Sequence, residues 1–340
     1  MRRVIALLAL GAAALASTAA AAPASSQLVF IANSRGLHPS VAIANANGSG
    51  VRTLGPGGNA RISPDGTQVA AVETLGQNQA TSELLDYPTG AGAVRHIAHF
   101  DGFISMFGWS ADSKLLLVYG PTGSSGAGPL QVVNMQTGAI TKIAKGAVSG
   151  ASFEPSAADQ IVYGLASSLL STAPTSLYVT SASGNGRRAI ASNATTPVWG
   201  AEFIAFSRCR SRGSEYAPIC QLWSISPNGT GARQLTHIKV DNLASGLVPI
   251  AFSANGKHLL ASFQGTDQSA TWTVDLSGPT AAARQLDGEE TLPNAISSNG
   301  QEVLLSSGFE GTQPSLLELP WAGGKPTVLA PHGFAGSWNL

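Results

Sequence analysis

The chain has 340 residues, 19 basic and 19 acidic side chains, no formal net charge and a charged fraction of only 11%. That balance excludes a nucleic-acid binder, whose phosphate contacts need clustered Lys and Arg. With 39 Gly and 19 Pro beside 44% hydrophobic residues, the composition favours many short strands joined by tight turns, because Gly and Pro punctuate regular structure.

The first residues read as an address. Arg2 and Arg3 form a positive start, Val4 to Leu15 an apolar stretch, and Ala22, Pro23 and Ala24 a small-x-small cleavage pattern. Residues 1–24 are therefore expected to be a signal peptide and 25–340 an exported domain, periplasmic or secreted. The apolar stretch falls short of the roughly 20 strongly apolar residues of a membrane span, and no later segment qualifies. The expected product is a soluble monomer without a lipid anchor, since no Cys stands near the cleavage site.

From Gln27 onward the chain repeats. An apolar residue leads into a turn at Ile62, Trp109, Phe153, Trp199, Phe252, Ile296 and Trp338, at spacings of 42 to 53 residues. A turn glycine recurs at Gly48, Gly90, Gly138, Gly184, Gly229, Gly278 and Gly323, and an aliphatic residue closes each unit at Leu54, Ile97, Ile143, Ile190, Leu235, Leu286 and Leu329. Three columns each count seven.

In chain order, Leu28 to Ala32, Val41 to Ala44 and Val51 to Leu54 read as strands B, C and D of a first unit that has no strand A. The second unit is complete: strand A ends at Ile62, Pro64-Asp65-Gly66 turns, Gln68 to Val72 is B, Ser82 to Tyr87 is C, and Ala93 to Ile97 is D. Pro pre-sets negative φ at the turn and Gly accepts positive φ, which favours a hairpin. Between units two and three, Phe100, Phe103, Met106 and Phe107 crowd one segment; Phe103 and Phe107 are candidate contact residues if the cluster is exposed, and interblade packing if it is not. The fourth unit has a degenerate turn over Glu154 to Asp159, and the fifth a shortened one over Trp199 to Glu202. The sixth and seventh keep the turn as Ser253-Ala254-Asn255-Gly256 and Ser297-Ser298-Asn299-Gly300. Phe334 to Leu340 reads as a spare strand A.

Four short antiparallel strands per period of this length describe a β-propeller blade. The expected fold is all-β, a seven-bladed propeller of four-stranded antiparallel blades in which the C-terminal strand completes the first blade and removes two sheet edges. The units resemble the propeller repeats of TolB and its relatives, at Ile62-Ser63-Pro64-Asp65-Gly66, Phe203-Ile204-Ala205-Phe206-Ser207, Ser226-Pro227-Asn228-Gly229 and Arg233-Gln234-Leu235-Thr236. The resemblance implies the repeat architecture over Gln27 to Leu340 and little about activity. TolB has six blades and an amino-terminal α/β domain; here the columns give seven, and no such domain is expected.

In such a blade the A to B and C to D turns share one face, while the longer B to C loops and D to A links share the other, which is where a binding site is expected. The fifth unit has the longest spacing, and its B to C connection holds both cysteines, Cys209 and Cys220, which an oxidising compartment is expected to join. Arg208, Arg210 and Arg212 make the same loop the most basic spot in the chain, an anion or acidic-partner contact or else a solvated loop. No catalytic residue, metal site or cofactor is expected: G-x-S-x-G and H-E-x-x-H are absent, His96 and His99 are three apart and should fall on opposite faces of a strand, and Glu289 and Glu290 beside Asp287 read as a solvated acidic turn or else as part of a cation contact. The expected function is a non-catalytic scaffold binding a protein or an envelope or extracellular ligand through the loop face. The alternative is a metal-assisted polysaccharide lyase or hydrolase with its site at the channel mouth.

Overall fold

The computed structural model describes residues 26–34, 36, 38–76, 81–122, 127–156, 159–166, 175–212, 218–242, 244–265, 269–308 and 313–339. The expected signal peptide, residues 1–24, lies outside them, as do parts of each long B to C connection. Among the described residues there is no α-helix, and the strands lie in antiparallel sheets.

In chain order the strands are β1 (Gln27–Ala32), β2 (Ser40–Asn45), β3 (Arg52–Pro56), β4 (Asn59–Ile62), β5 (Gln68–Leu75), β6 (Thr81–Pro88) and β7 (Arg95–Phe100). They continue as β8 (Phe103–Trp109), β9 (Leu115–Thr122), β10 (Gly128–Asn134), β11 (Ile140–Phe153), β12 (Gln160–Ala166), β13 (Thr175–Ser181) and β14 (Arg188–Ser192). Then come β15 (Thr195–Trp199), β16 (Ile204–Arg210), β17 (Ile219–Ile225), β18 (Arg233–Gln234), β19 (Ala244–Phe252), β20 (His258–Gly265), β21 (Ser269–Asp275) and β22 (Ala282–Glu289). The last are β23 (Thr291–Ile296), β24 (Glu302–Ser307), β25 (Ser315–Pro320), β26 (Thr327–Pro331) and β27 (Gly333–Trp338).

Their pairing follows the repeat. One sheet runs β4-β5-β6-β7, another β23-β24-β25-β26, and a third β27-β1-β2-β3, with Leu28 opposite Trp338. The fourteen-residue β11 serves twice, its first half pairing β10 and its second half β12, so β8 to β14 form one continuous path. Strands β15 to β18 and β19 to β22 are joined by a single parallel bridge, Cys220 to Gly246.

The A to B turn explains why the units resemble one another. In the second unit the Ser63 hydroxyl donates to Asp65 (2.6 Å) and accepts from the Gln68 amide (3.1 Å). Ser110 with Asp112, Ser253 with Asn255 and Ser297 with Asn299 repeat the first bond at 2.7, 2.8 and 2.7 Å, and all four serines are buried. A buried hydroxyl must be satisfied, and this short carboxylate or amide does it within the turn. The fourth and fifth units lack the serine; in the fifth, the Gly200 amide simply closes onto the Phe203 carbonyl.

Alternation along each strand sends aliphatic side chains to both sides, where they meet the next sheet. Val29, Ile31 and Val41 pack with Ile62, Val69 and Leu85, and Ala70, Val72 and Leu84 pack with Ile104, Met106 and Leu116. The same pattern links Leu117 to Tyr163, Val162 to Phe206, Leu222 to Leu259, and Leu260 to Val303. Leu304 and Leu316 of the last sheet then pack with Leu28 and Phe30 of the first. Strands β4, β8, β11, β15, β19, β23 and β27 contact each other in that order, and β27 contacts β4. The glycine and aliphatic columns also meet: a side chain on Gly138 (φ 73°) would come within 2.8 Å of the Ile97 carbonyl oxygen, and Gly48 (φ 79°) abuts Leu329 in the same way.

Candidate binding cleft

The fifth unit departs from the others at its outer edge. Strand β18 is two residues long, against the five to eight of the other separate D strands. The Leu235 amide still donates to the Leu222 carbonyl (2.8 Å); past it the chain leaves the sheet, and side chains replace the missing ladder. Gln221 on β17 donates to the Ile238 carbonyl (2.8 Å) and accepts from the Ile238 amide (3.1 Å) and the Thr236 hydroxyl (2.8 Å). One amide side chain thus holds the departing segment at a distance from the strand.

Further on, Arg212 clamps the same segment, donating to the carbonyls of Asp241 (2.9 Å) and Ala244 (2.8 Å) and, at longer range, of Val240 (3.3 Å). A guanidinium fork suits such clustered acceptors. Cys209 and Cys220 stand directly opposite on β16 and β17 with Cα atoms 4.0 Å apart, and they are disulfide-bonded. The staple fixes the ends of the B to C connection beside the clamp.

Between β17 and the displaced segment lies a cleft of about 850 Å³. Its floor carries Trp223 and Gln221, and its rims carry Arg208, Arg210, His237, Lys239 and Asp241. The Arg208 guanidinium lies 4.4 Å from the Trp223 ring centre and 5.5 Å from that of Phe206, a cation–π stack worth roughly 0.5 to 2 kcal/mol. Its Nε is buried without a hydrogen-bond partner, while Nη2 reaches the Ser192 carbonyl at 3.4 Å. Arg210, His237, Lys239 and Asp241 are exposed. The cleft therefore offers an aromatic floor under an excess of cations.

The three arginines expected to act alike have separate tasks here. Arg208 is stacked, Arg210 is exposed on the rim, and Arg212 is engaged with backbone. The aromatic segment of units two and three is divided as well. Phe100 and Met106 are buried, and Phe107 packs on the core with its ring 6.2 Å from Tyr119; Phe103 is 40% exposed. The segment is strand rather than link, since β7 ends at Phe100 and β8 begins at Phe103.

The expectation for His96 and His99 needs correction. The register slips by one residue between Leu84 and Leu85, so a bulge at Ile97 brings both imidazoles to Glu83, His99 Nδ1 at 2.6 Å and His96 Nδ1 at 3.8 Å. Even so, no three His, Cys, Asp or Glu side chains among the described residues are grouped to hold a metal ion. The side chains of Asp287 and Glu289 lie outside the described residues.

Trp223, Gln221, Thr236, His237 and Lys239 were not legible as site residues. The one available signal was the long spacing from Trp199 to Phe252, whose extra residues fall after Leu235, where the chain leaves the sheet.

No protein-family model and no curated protein sequence matches the chain. Solved structures do. The β-propeller domain of the Trilobed protease from Pyrococcus furiosus is 12% identical with a TM-score of 0.64, over 92% of this chain and 94% of that one. TolB from Acinetobacter baumannii is 13% identical with a TM-score of 0.53, over 89% and 79%. An oligogalacturonate lyase in complex with manganese is 13% identical with a TM-score of 0.59, over 82% and 81%. At such identities the likeness is one of fold: the chain has a β-propeller scaffold, similar to those of these proteins.

Proposed function

We propose that the chain is an exported seven-bladed propeller, closed by β27 on the first blade, that binds an acidic protein or an anionic envelope or extracellular ligand on its loop face without catalysing a reaction. The cleft beside β17 carries this reading: it sits where B to C and D to A segments meet, it is held open by Gln221 and Arg212, and it presents Arg210, Lys239 and His237 around an indole. The blade number is supported by three sequence columns of seven and by sheet-to-sheet packing that returns from the last sheet to the first. Export is supported by the leader-like residues 1–24 and the disulfide.

Affinity capture from the native envelope and medium, using the wild type beside R210A/K239A, tests the reading. A partner retained by the wild type should bind the double variant at least about ten-fold more weakly and should lose affinity as salt rises. Equal retention by both proteins would reject the cleft as the site.

The likeness to an oligogalacturonate lyase in complex with manganese favours a second reading, a metal-assisted polysaccharide lyase or hydrolase at the channel mouth. The donors this would need do not converge among the described residues, and the Glu83, His96 and His99 group lies on the outer strands β6 and β7. Stoichiometric, tightly held metal together with uronate-polymer cleavage by the purified protein would establish this reading in place of the first.

A further inference from the structure

At the position after the anchor residue, units two, three, six and seven carry Ser63, Ser110, Ser253 and Ser297, whereas the fourth carries Glu154. The backbone of the turn is kept: the Glu154 amide donates to the Gln160 carbonyl (2.9 Å), as the Ser63 amide donates to that of Gln68 (2.9 Å). The side chain is used differently. Each of those serines is buried and closes its turn through the hydroxyl. The Glu154 carboxylate instead accepts one long bond, from the Ser156 hydroxyl to Oε1 (3.3 Å), and its Oε2 is buried without a partner. No ion pair of Glu154 occurs among the described residues. A negative charge left uncompensated in this way is costly unless a cation stands near it.

Glu154 belongs to the wall of a cavity of about 460 Å³ at the ends of β8, β11 and β15, a volume within the usual range of small-molecule sites. Four aromatic residues line it too, Phe107, Trp109, Phe153 and Trp199, and Glu154 is the one charged residue of the lining. Trp109, Phe153 and Trp199 are three successive members of the anchor column, so the column is aromatic in the units that surround the carboxylate. Gly108 adds room. Its partner across the strands, Leu117, packs with Phe153 and Tyr163 of the fourth unit, so position 108 faces that unit. Nothing lies within 4 Å of where a Cβ at Gly108 would be.

We propose that this cavity binds the trimethylammonium head of a small free cation of about the size of choline. Aromatic walls attract a cation through the ring quadrupole, most strongly where water is excluded. Glu154 supplies the balancing charge through space, since Coulomb attraction persists over several ångströms away from bulk water. A quaternary head suits the site better than a primary ammonium or a metal ion: it has no N–H to satisfy and needs no lone pair from the closed-off Oε2. A phosphate on the same molecule would meet the Glu154 carboxylate and be repelled, which favours a free cation over a lipid headgroup. The site lies at the A to B turn ends of the inner strands, apart from the cleft of the fifth unit. It does not depend on how many sheets complete the ring.

Calorimetric titration at constant ionic strength, with the wild type, E154Q and G108L, tests the proposal. The probes are choline, its neutral carbon isostere 3,3-dimethylbutanol, methylammonium and phosphocholine. The wild type should bind choline saturably and at least about ten-fold more tightly than each of the other three. E154Q should bind choline at least about ten-fold more weakly and lose the preference for choline over the isostere, while melting, without ligand, no lower than the wild type. G108L should fold normally, since its side chain enters open space, and should bind neither choline nor the isostere. No saturable choline binding by the wild type, equal or tighter binding of any other probe, or undiminished choline binding by either variant would overturn the proposal. So would a marked loss of stability in E154Q without ligand, because it would reveal a structural partner for the carboxylate. Both variants leave Arg210 and Lys239 untouched, so failure here is distinguishable from failure of the loop-face reading.

Discussion

The second unit and the fifth start from the same plan and differ at their outer edge. In the second, β4 to β7 are all present, the A to B turn is closed by buried Ser63 and Asp65, and β7 pairs with β6 over several residues. In the fifth, the turn serine is missing and the outer strand shrinks to Arg233 and Gln234, yet the inner strands keep their packing through Trp199, Ile204 and Phe206. The difference teaches that the inner strands carry the stacking between sheets, whereas the outer edge can be given up. Where it was given up, a disulfide and the hydrogen bonds of Gln221 and Arg212 took over the holding, and the cleft opened.

Loss of an inner strand should have the largest effect. Truncation after Pro331 removes β27, strips the partner from β1 and exposes Leu28 and Phe30, so Tm should fall by more than about 10 °C and size-exclusion chromatography should show aggregation. A truncated protein with an unchanged melting curve would break the distinction between inner and outer strands.

Removal of the disulfide should come next. The pair C209S/C220S frees a connection with a sequence separation of 11, which the chain-entropy model values at about 3 kcal/mol. Because the bond closes a loop of the fifth unit, partner retention at the cleft should fall further than global stability does, as capture and thermal melting measured on one preparation would show.

In the second unit S63A should cost about 1 to 2 kcal/mol by denaturant titration, since it leaves the Gln68 amide and Asp65 without their shared hydroxyl. S156A, in the degenerate turn of the fourth unit where the hydroxyl is exposed, should cost nothing measurable.

The smallest effect concerns pH. Burial raises the Asp65 carboxyl, but hydrogen bonds from Ser63, the Thr67 amide and hydroxyl, and Ser113 outweigh it and hold the group below its ordinary value. A carboxyl with a depressed folded pKa contributes stability that is complete above the unfolded value, near 4, and is lost as pH falls through the folded value. D65N should therefore melt like the wild type at pH 7, as Asn255 and Asn299 serve the same turn, and should lose less stability between about pH 4 and pH 2.

The repeat was legible because its signals are local. Ser-x-Asp-Gly and Ser-x-Asn-Gly sit within one turn, and the columns at Ile97 and Gly138 recur because one touches the other across a sheet boundary. The cysteine pair was legible for the same reason, being two residues opposite each other in one hairpin. The cleft was not, because it arises where a pattern stops: Leu235 still fits its column, and nothing in Thr236 to Asp241 announces that the chain leaves β17. The joint approach of His96 and His99 to Glu83 was hidden by a single bulge, which reverses the face of every residue after it.

The register that sets Leu28 opposite Trp338 also has a consequence for biosynthesis. Strand β1 emerges from the ribosome long before β27, so a nascent chain that stops short of Gly333 lacks the strand that pairs with Leu28 to Ala32. Contacts spanning nearly the whole polypeptide make maturation slow, with a half-built intermediate that offers a bare strand to its neighbours. A chain of this design benefits from a chaperone that shields Gln27 to Ala32 until Gly333 to Trp338 arrive.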